Sequence, residues 1–257
     1  MSKNIKILVA AHKSYWMPAE DVYMPIHVGA EGKKSIGFIG DNTGNHISHK
    51  NPNYCELTGL YWFWKNEKAD YVGLCHYRRY FSKGNYGSSL EEKQASILTK
   101  NDYEALLEEY DCIVPKKRNY YIETVQSQYE HAHQAKDLVA LKDILQEFYP
   151  EYIESFNVLM KGKKLHLLNM FVMNWTMFNS YCIFLFDVLE KLENKIDITG
   201  YSVQEARVYG FLAERLFNVW LLTNQVNCVE VPVVFLEKIN WIKKGGSFLA
   251  RKFGIKK

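Results

Sequence analysis

Residues 70–81 read DYVGLCHYRRYF, and they are the most informative segment of the chain. It begins with an acid, continues through a short apolar run and passes directly into a His-Tyr-Arg-Arg cluster. A short, continuous apolar run is typical of a buried strand in a parallel sheet. Because open α/β sheets bind their ligands at the carboxyl ends of strands, this cluster lies where a ligand site is expected.

The two arginines of this stretch suit an anionic ligand. Arginine presents paired planar donors that fit phosphate oxygens, and it stays charged at any working pH. We therefore interpret His76, Arg78 and Arg79 as an anion-binding corner for the diphosphate of an activated sugar. The alternative is a solvated turn on which both arginines pair with nearby acids, an arrangement that contributes little stability.

Strand and helix patterns alternate on both sides of this stretch. Short apolar runs predict further strands at residues 5–11, 35–39, 112–114, 165–173 and 229–236. Helical patterns cover residues 53–66, 88–109, 123–147, 178–192 and 204–222, with Asn53 and Glu56 expected to form a capping box and Asp102 to cap a later helix. The alternation predicts one α/β sheet, mixed and mostly parallel, flanked by helices.

Polar side chains follow several of the predicted strands, at residues 12–13, 41–45, 76–79 and 116–118. Since the carboxyl ends of parallel strands meet at one edge, we expect these groups to surround a crevice. Asn and Asp supply paired donors and acceptors for uracil or ribose. The predicted nucleotide-binding residues are Ala10, His12, Lys13, Asp41, Asn42, Asn51 and Tyr54. The alternative for residues 40–45 is a self-bonded turn.

Glu214 is the first candidate for a catalytic base, with Glu123 as the second. Inverting sugar transfer needs a carboxylate that takes the proton from the acceptor hydroxyl. Glu214 lies in the apolar helical sequence GFLAERL, where desolvation is expected to raise its pKa. Arg207, in the same segment, is expected to join the diphosphate site. The alternative for Glu214 is an ion pair within its own helix.

Composition narrows the class of protein. The 257 residues suffice for one large α/β domain, and a net charge of +3 is too small to indicate a nucleic-acid partner. The five scattered cysteines lack metal-site spacing, which favours reduced thiols in the cytoplasm. No Asp-x-Asp follows the strand before Arg78. We therefore predict no metal and no other cofactor, the guanidinium charges taking the role of a cation, with Mn²⁺ or Mg²⁺ as the alternative.

The end of the chain differs from the rest. We predict a catalytic domain over residues 1–240 and a basic amphipathic tail over residues 241–257, WIKKGGSFLARKFGIKK. Bulky apolar residues with Lys and Arg but no acid are typical of an interfacial membrane contact, and a disordered basic tail is the alternative. The amino-terminal residues show no signal-peptide layout, and no apolar run has the length of a transmembrane helix.

Eight motifs are spread in order along nearly the whole chain. They are residues 11–13 (AHK), 25–30 (PIHVGA), 40–42 (GDN), 51–65 (NPNYCELTGLYWFWK), 70–81 (DYVGLCHYRRYF), 122–125 (IETV), 169–171 (NMF) and 207–220 (RVYGFLAERLFNVW). Together they resemble a family of bacterial glycosyltransferases: capsular and exopolysaccharide biosynthesis proteins of the β-1,3-galactofuranosyltransferase type, formerly grouped as a domain of unknown function.

The resemblance implies a GT-A-like fold, UDP-galactofuranose as the donor and a growing glycan on undecaprenyl diphosphate as the acceptor. It also implies a cytoplasmic active site at the inner face of the plasma membrane, and no nucleic-acid partner is expected. Three alternatives stay open: a UDP-galactopyranose donor, a retaining reaction, and a non-catalytic nucleotide-sugar-binding component of a polysaccharide assembly complex.

Overall fold

The central element is a nine-stranded mixed sheet in a computed structural model that describes residues 3–237. The predicted tail, residues 241–257, lies outside the described residues. The strands of this sheet are β1 (Ile5–Ala11), β2 (Tyr23–His27), β3 (Ile39–Gly40), β4 (Tyr71–His76), β5 (Arg79–Phe81), β6 (Cys112–Pro115), β9 (Phe171–Asn174), β10 (Cys228–Val231) and β11 (Val233–Phe235). A separate two-stranded sheet joins β7 (Arg118–Asn119) and β8 (Lys164–Leu165).

Helices cover both faces of the sheet. They are α1 (Asn51–Tyr54), α2 (Leu57–Asn66), α3 (Leu90–Ala95), α4 (Lys100–Glu109), α5 (Val125–Ala132), α6 (Ala135–Phe148), α7 (Ile153–Lys161), α8 (Trp175–Lys195) and α9 (Val208–Thr223). Together with the sheet they form the α/β architecture that the alternating sequence patterns predict.

Strand order places β1 and β4 side by side near the middle of the sheet, in the order β10-β6-β9-β4-β1-β2-β3. β1 is parallel to both β2 and β4, whereas β9 runs antiparallel between β4 and β6. β5 turns back from β4 and pairs with β11. The chain leaves β1 toward β2 on one side and later returns to β4 on the other, which opens a crevice at the carboxyl ends of β1 and β4.

The core follows from the alternation of side chains along the central strands. Leu8, Val72 and Leu74 belong to the larger core beneath α2, α8 and α9, while Ile7 and Cys75 belong to the core on the opposite face. Since both faces are covered, the central strands are apolar at consecutive positions, as the sequence of β1 indicates.

Several element boundaries differ from the predictions. β2 was not predicted, and the strand expected at residues 35–39 is only the two-residue β3. The helix expected over 53–66 is divided between α1 and α2 at Cys55, whose positive φ of 54° interrupts it. The predicted capping box at Asn53 is wrong, since Glu56 precedes α2 and makes no capping bond. The helix at 100–109 is capped by Thr99, with Asp102 as its capping-box partner.

Four longer predictions also divide. The helix expected over 88–109 becomes α3 and α4, and the strand expected over 229–236 becomes β10 and β11. The helix expected over 123–147 becomes α5 and α6, with His133 in extended conformation between them. Of the strand expected over 165–173, only β9 joins the main sheet, while residue 165 ends β8. The positive φ angles of Leu168 (79°) and Asn169 (50°) redirect the chain between those two strands.

Candidate active site

A cavity of about 760 Å³ opens at the carboxyl ends of β1 and β4. Ala10 of β1 pairs in register with His76 of β4, so the polar residues that follow the two strands meet at the same place. Eight of the predicted site residues line the cavity: Ala10, His12, Asn51, His76, Arg78, Arg79, Arg207 and Glu214. The crevice expected from the strand pattern is therefore present, and it brings together residues up to 204 positions apart, from Ala10 to Glu214.

Arg78 and Arg79 occupy different environments within this cavity. Arg78 lies at the rim, where its Nη1 donates to Glu237 at 2.7 Å and its guanidinium lies 4.7 Å from the centre of the Tyr77 ring. Arg79 is more deeply placed, and burial lowers its pKa, while the carboxylate of Glu56 opposes this shift. Arg79 is thus a desolvated cation facing carboxylates, whereas Arg78 already has a partner at the surface.

His76 contributes hydrogen bonding more than charge. Burial lowers its pKa, the Glu56 carboxylate opposing that effect, so the ring is neutral near pH 7. Its Nε2 lies 2.9 Å from the carbonyl oxygen of Leu168. A carbonyl only accepts hydrogen bonds, which makes Nε2 the protonated nitrogen and leaves a lone pair on Nδ1.

Glu214 is held in place by two donors. The backbone N–H of Leu168 donates to Oε1 at 2.7 Å, and Nη1 of Arg215 donates to Oε2 at 3.0 Å. Burial raises the pKa of Glu214, with Arg215 acting in the opposite direction. The ion pair within the helix, which was the alternative interpretation, and the expected rise in pKa therefore occur together, and Glu214 also lines the cavity.

Glu56 and Asn169 form a second polar wall that the sequence interpretation did not assign. Nδ2 of Asn169 donates to Oε1 of Glu56 at 2.7 Å and to the carbonyl oxygen of Gly210 at 3.1 Å. Oδ1 of Asn169 is buried and has no hydrogen-bond partner among residues 3–237. Asn169 therefore links the Glu56 carboxylate to the backbone of α9 at Gly210.

The left-handed backbone at Leu168 and Asn169 organises both carboxylates. Through these two residues the segment contacts His76, Glu214 and Glu56, which belong to three separate parts of the chain. Left-handed conformations are unfavourable for residues with a Cβ and are concentrated at functional sites. The motif at 169–171 was the sequence signal for this segment, but nothing in its composition indicated the backbone geometry.

Arg207 approaches the cavity from the side of α9. Its Nε donates to Sγ of Cys55 at 3.1 Å. Burial opposes its charge, but Cys55, Glu56 and Glu214 outweigh that effect and raise its pKa. Burial and Glu56 in turn raise the pKa of the Cys55 thiol to about 11, so this sulfur is protonated at neutral pH.

Asp41 lies outside the cavity as a fully buried structural carboxylate. It accepts hydrogen bonds from the backbone N–H groups of Gly29 (2.8 Å) and Ala30 (3.0 Å), and from the hydroxyl of Ser48. Gly29 has a φ of 65°, and a Cβ there would overlap Asn51. Asp41 therefore fixes the turn that packs against Asn51, a cavity residue.

The other predicted nucleotide-binding residues also lie away from the cavity lining. Asn42 is exposed in the loop after β3, and Tyr54 is buried with its ring 4.9 Å from that of Tyr209. Lys13 is exposed beside the rim, with its Nζ 5.7 Å from the centre of the Tyr77 ring. Asn51 does line the cavity, although its Nδ2 already donates to Cys55 and Thr58.

Glu123, the second candidate base, is also outside the cavity lining. Its side chain is buried, and Oε1 lies 2.6 Å from Nδ1 of His131. Glu123 lies just before α5 and His131 lies within it. Glu214, by contrast, lines the cavity. The geometry favours Glu214 and Glu56 over Glu123 as groups that can contact a ligand there.

Two further observations concern metal-binding groups and membrane-spanning helices. Among residues 3–237, no group of three or more His, Cys, Asp or Glu side chains is placed to hold a metal ion. None of the helices formed by these residues is both long and apolar enough to cross a lipid bilayer.

The fold has a counterpart in the apo structure of WbbM, which is described as a bifunctional glycosyltransferase. The two chains share 33% sequence identity with a TM-score of 0.85, and the match covers 91% of this chain and 46% of the WbbM chain. This protein thus spans slightly less than half the length of that one. The match confirms the predicted class, a GT-A-like α/β fold of glycosyltransferases.

The chain belongs to the DUF4422 family, described as a domain of unknown function, whose model matches residues 6–225. None of the curated proteins compared with the chain matches it. The family region includes every strand and helix that contributes to the cavity, from β1 to α9.

Proposed function

We propose that this protein is a glycosyltransferase that transfers a sugar from a UDP-sugar to a lipid-linked glycan in bacterial capsule, exopolysaccharide or O-antigen synthesis. The observation that carries the proposal is that Arg79, Arg207, Glu214 and Glu56 line the same cavity. Cations suit a diphosphate, and a partly desolvated carboxylate suits a general base. The fold shared with WbbM supports the same reaction class.

The arginines would bind the diphosphate and stabilise the leaving group. As the bond between the anomeric carbon and the phosphate oxygen breaks, negative charge develops on the departing UDP. Arg79 lies in the electrostatic field of Glu56 and Glu214, and Nε of Arg207 donates to Sγ of Cys55, so both cations are already next to the cavity before a ligand binds. We propose a metal-independent reaction, with the guanidinium groups in the place that a cation takes in other sugar transferases.

Glu214 would serve as the base of an inverting reaction. The acceptor hydroxyl oxygen attacks the anomeric carbon and loses its proton to Glu214, while UDP leaves from the opposite face. The raised pKa of Glu214 makes it a better proton acceptor than an exposed carboxylate. Glu56, on the facing wall, would bind sugar hydroxyls together with Asn169, which already donates to it.

The finer assignments rest on the sequence motifs. Resemblance to galactofuranosyltransferases supports UDP-galactofuranose as the donor and an undecaprenyl diphosphate-linked acceptor. With these substrates the protein would act in the cytoplasm, peripheral to the inner face of the plasma membrane. UDP-galactopyranose is the second donor to be tested.

The first experiment is calorimetric titration with UDP in EDTA and then in Mn²⁺. We expect binding in EDTA, because fixed guanidinium groups supply the positive charge. Binding only with Mn²⁺ would contradict the metal-independent site. Absence of binding under both conditions would contradict the UDP-sugar proposal itself.

The second experiment measures UDP release with UDP-galactofuranose and with UDP-galactopyranose in the presence of a lipid-linked acceptor, followed by anomeric analysis of the product. We expect faster turnover with UDP-galactofuranose and inversion at the anomeric carbon. Retention would remove Glu214 from the role of base. Binding of UDP without turnover of either donor would indicate the non-catalytic binding protein instead.

A further inference from the structure

A strongly basic surface lies beside the cavity and is not used by the reaction. It is formed by the β7–β8 sheet and its flanking residues, in which two strands from distant parts of the chain pair with Arg118 opposite Leu165. We define the basic face as the six exposed cations of this region: Lys116, Lys117, Arg118, Lys161, Lys163 and Lys164.

Neighbouring acids neutralise little of this charge. Lys117 pairs with Glu230 at 3.7 Å, and this is the one ion pair that the basic face makes within residues 3–237. Glu123, in the adjoining loop, is buried against His131. Six cations with one partly exposed counter-ion create a local positive potential that attracts an anionic surface.

Exposed apolar side chains stand next to the basic face. Tyr121 and Ile122, immediately after β7, are 74% and 51% exposed. The backbone holds this loop to the basic face, since the N–H of Tyr120 donates to the carbonyl oxygen of Lys163 at 2.8 Å. A soluble anion would gain little from these apolar groups, whereas a bilayer accepts a tyrosine and an aliphatic side chain at its interface and binds cations through its headgroups.

The basic face is also connected to the cavity wall. The chain continues from Leu165 of β8 to Leu168 and Asn169, which line the cavity. Directly after β7, burial raises the pKa of Tyr120, and both Arg215 and Glu214 lie close enough to influence it. A surface bound by the basic face therefore lies close to Glu214.

We propose that the basic face, with Tyr121 and Ile122, docks the protein onto an anionic lipid bilayer and turns the cavity toward it. The partner is the bilayer surface, recognised through anionic headgroups and the interfacial apolar layer. The docking itself does not depend on the proposed function. Only the further idea that docking delivers a lipid-linked acceptor rests on that function.

The test is co-sedimentation of the full chain with vesicles of phosphatidylcholine, with and without phosphatidylglycerol. We expect binding that needs phosphatidylglycerol and weakens with added salt. Lys163→Glu with Lys164→Glu should weaken vesicle binding by about tenfold or more, since each cation near such a surface contributes appreciably. Tyr121→Ser with Ile122→Ser should weaken it at unchanged net charge.

Matched controls are Lys34→Glu with Lys68→Glu, two exposed lysines elsewhere on the chain, and Val139→Ser, which is 60% exposed on α6. Vesicle binding by the basic-face variants equal to that of wild type, or an equal loss in the controls, would overturn the proposal. Equal binding to neutral vesicles would do the same. Insensitivity to Tyr121→Ser with Ile122→Ser, together with displacement by heparin, would assign the face to a soluble polyanion instead.

UDP titration of the same variants separates this proposal from the proposed function. We expect unchanged UDP affinity in the Lys163→Glu, Lys164→Glu variant, which also shows that the variant is folded. Wild-type protein that binds vesicles but not UDP would overturn the proposed function and leave the docking proposal standing. Wild-type protein that binds UDP but not anionic vesicles would do the reverse.

Discussion

Two basic clusters follow strands at the same edge of the sheet, yet they have become different surfaces. Arg78 and Arg79 follow β4 and enter the cavity, where Arg79 faces the carboxylates of Glu56 and Glu214. Residues 116–118 follow β6 and remain exposed, with one counter-ion at Glu230. Two basic sequences that each follow a strand therefore form a partly buried site in one case and an exposed surface in the other.

The position of each strand explains the difference. β4 lies beside β1 in the middle of the sheet, at the point where the chain reverses its direction of strand addition, while β6 has only β10 beyond it. A crevice forms at such a reversal, and α9 closes it with Arg207 and Glu214. A charge there loses solvent and interacts strongly, whereas a charge after β6 stays in water.

The largest expected effect is that of Glu214→Gln. Loss of the proton acceptor should reduce kcat by about 10³-fold, in the range of general-base catalysis, with UDP affinity nearly unchanged. Steady-state kinetics and UDP calorimetry check the two parts. Glu56→Gln is the matched control on the opposite wall, and a larger loss of kcat in that variant would transfer the role of base to Glu56.

The next effect separates Arg79 from Arg78. Arg79→Ala should weaken UDP binding by about 30-fold or more, because it removes a largely desolvated charge from the proposed diphosphate site. Arg78→Ala should weaken it by less than about fivefold, because its guanidinium is partly exposed and already paired with Glu237. Calorimetry in EDTA measures both, and equal losses would contradict the difference in depth between the two arginines.

Asp41→Ala tests a residue that was predicted to contact the nucleotide. In the structure Asp41 is buried outside the cavity lining and accepts three hydrogen bonds from its own protein. The substitution should lower the free energy of unfolding by about 2–4 kcal/mol, since three donors lose their acceptor in a buried place. Denaturant unfolding measures this change. Asn42→Ala, at the exposed neighbour, should change it by less than about 0.5 kcal/mol. A stable Asp41→Ala variant with impaired UDP binding would restore the nucleotide-binding role.

The pH dependence of kcat/KM is expected to show a smaller effect, and the direction of that effect can be predicted. Glu214 must be deprotonated to act as a base, and its pKa is raised above the ordinary value of 4.5, so activity should fall with acidity at a higher pH than an exposed glutamate allows. Glu56→Gln removes a neighbouring negative charge and should shift this acidic limb to lower pH. Arg79→Ala removes a positive charge and should shift it to higher pH. Shifts in the opposite directions would exclude Glu214 as the titrating group.

The smallest expected effect is that of Lys116→Ala with Lys117→Ala on UDP affinity. The basic face does not line the cavity, and exposed charges are screened over about 8–10 Å at physiological salt. Calorimetry should therefore give the wild-type affinity. A change comparable to that of Arg79→Ala would show that both basic clusters serve one anion site.

Much of the site could be predicted because it follows directly from strand ends. The apolar runs at residues 5–11 and 71–75 identified β1 and β4, and eight predicted residues meet in the cavity between them. Asp41 and Tyr54 were predicted as nucleotide-binding residues from the same kind of pattern. In the structure both are buried and lie outside the cavity lining. The polar side chains of a loop that follows a strand can hydrogen-bond either to the loop itself or to a ligand. Only the fold determines which of the two occurs.

The sequence was sufficient to predict the α/β class, the two central strands, the position of Arg78 and Arg79 after β4, and the apolar helix that carries Glu214, because these depend on local periodicity and on residue chemistry. The tertiary structure alone decided the partnership of Glu56 with Asn169, the left-handed turn at Leu168 and the different depths of Arg78 and Arg79. Those features depend on contacts between segments as much as 159 residues apart, as Arg78 and Glu237 are, and local sequence patterns carry no information on such contacts.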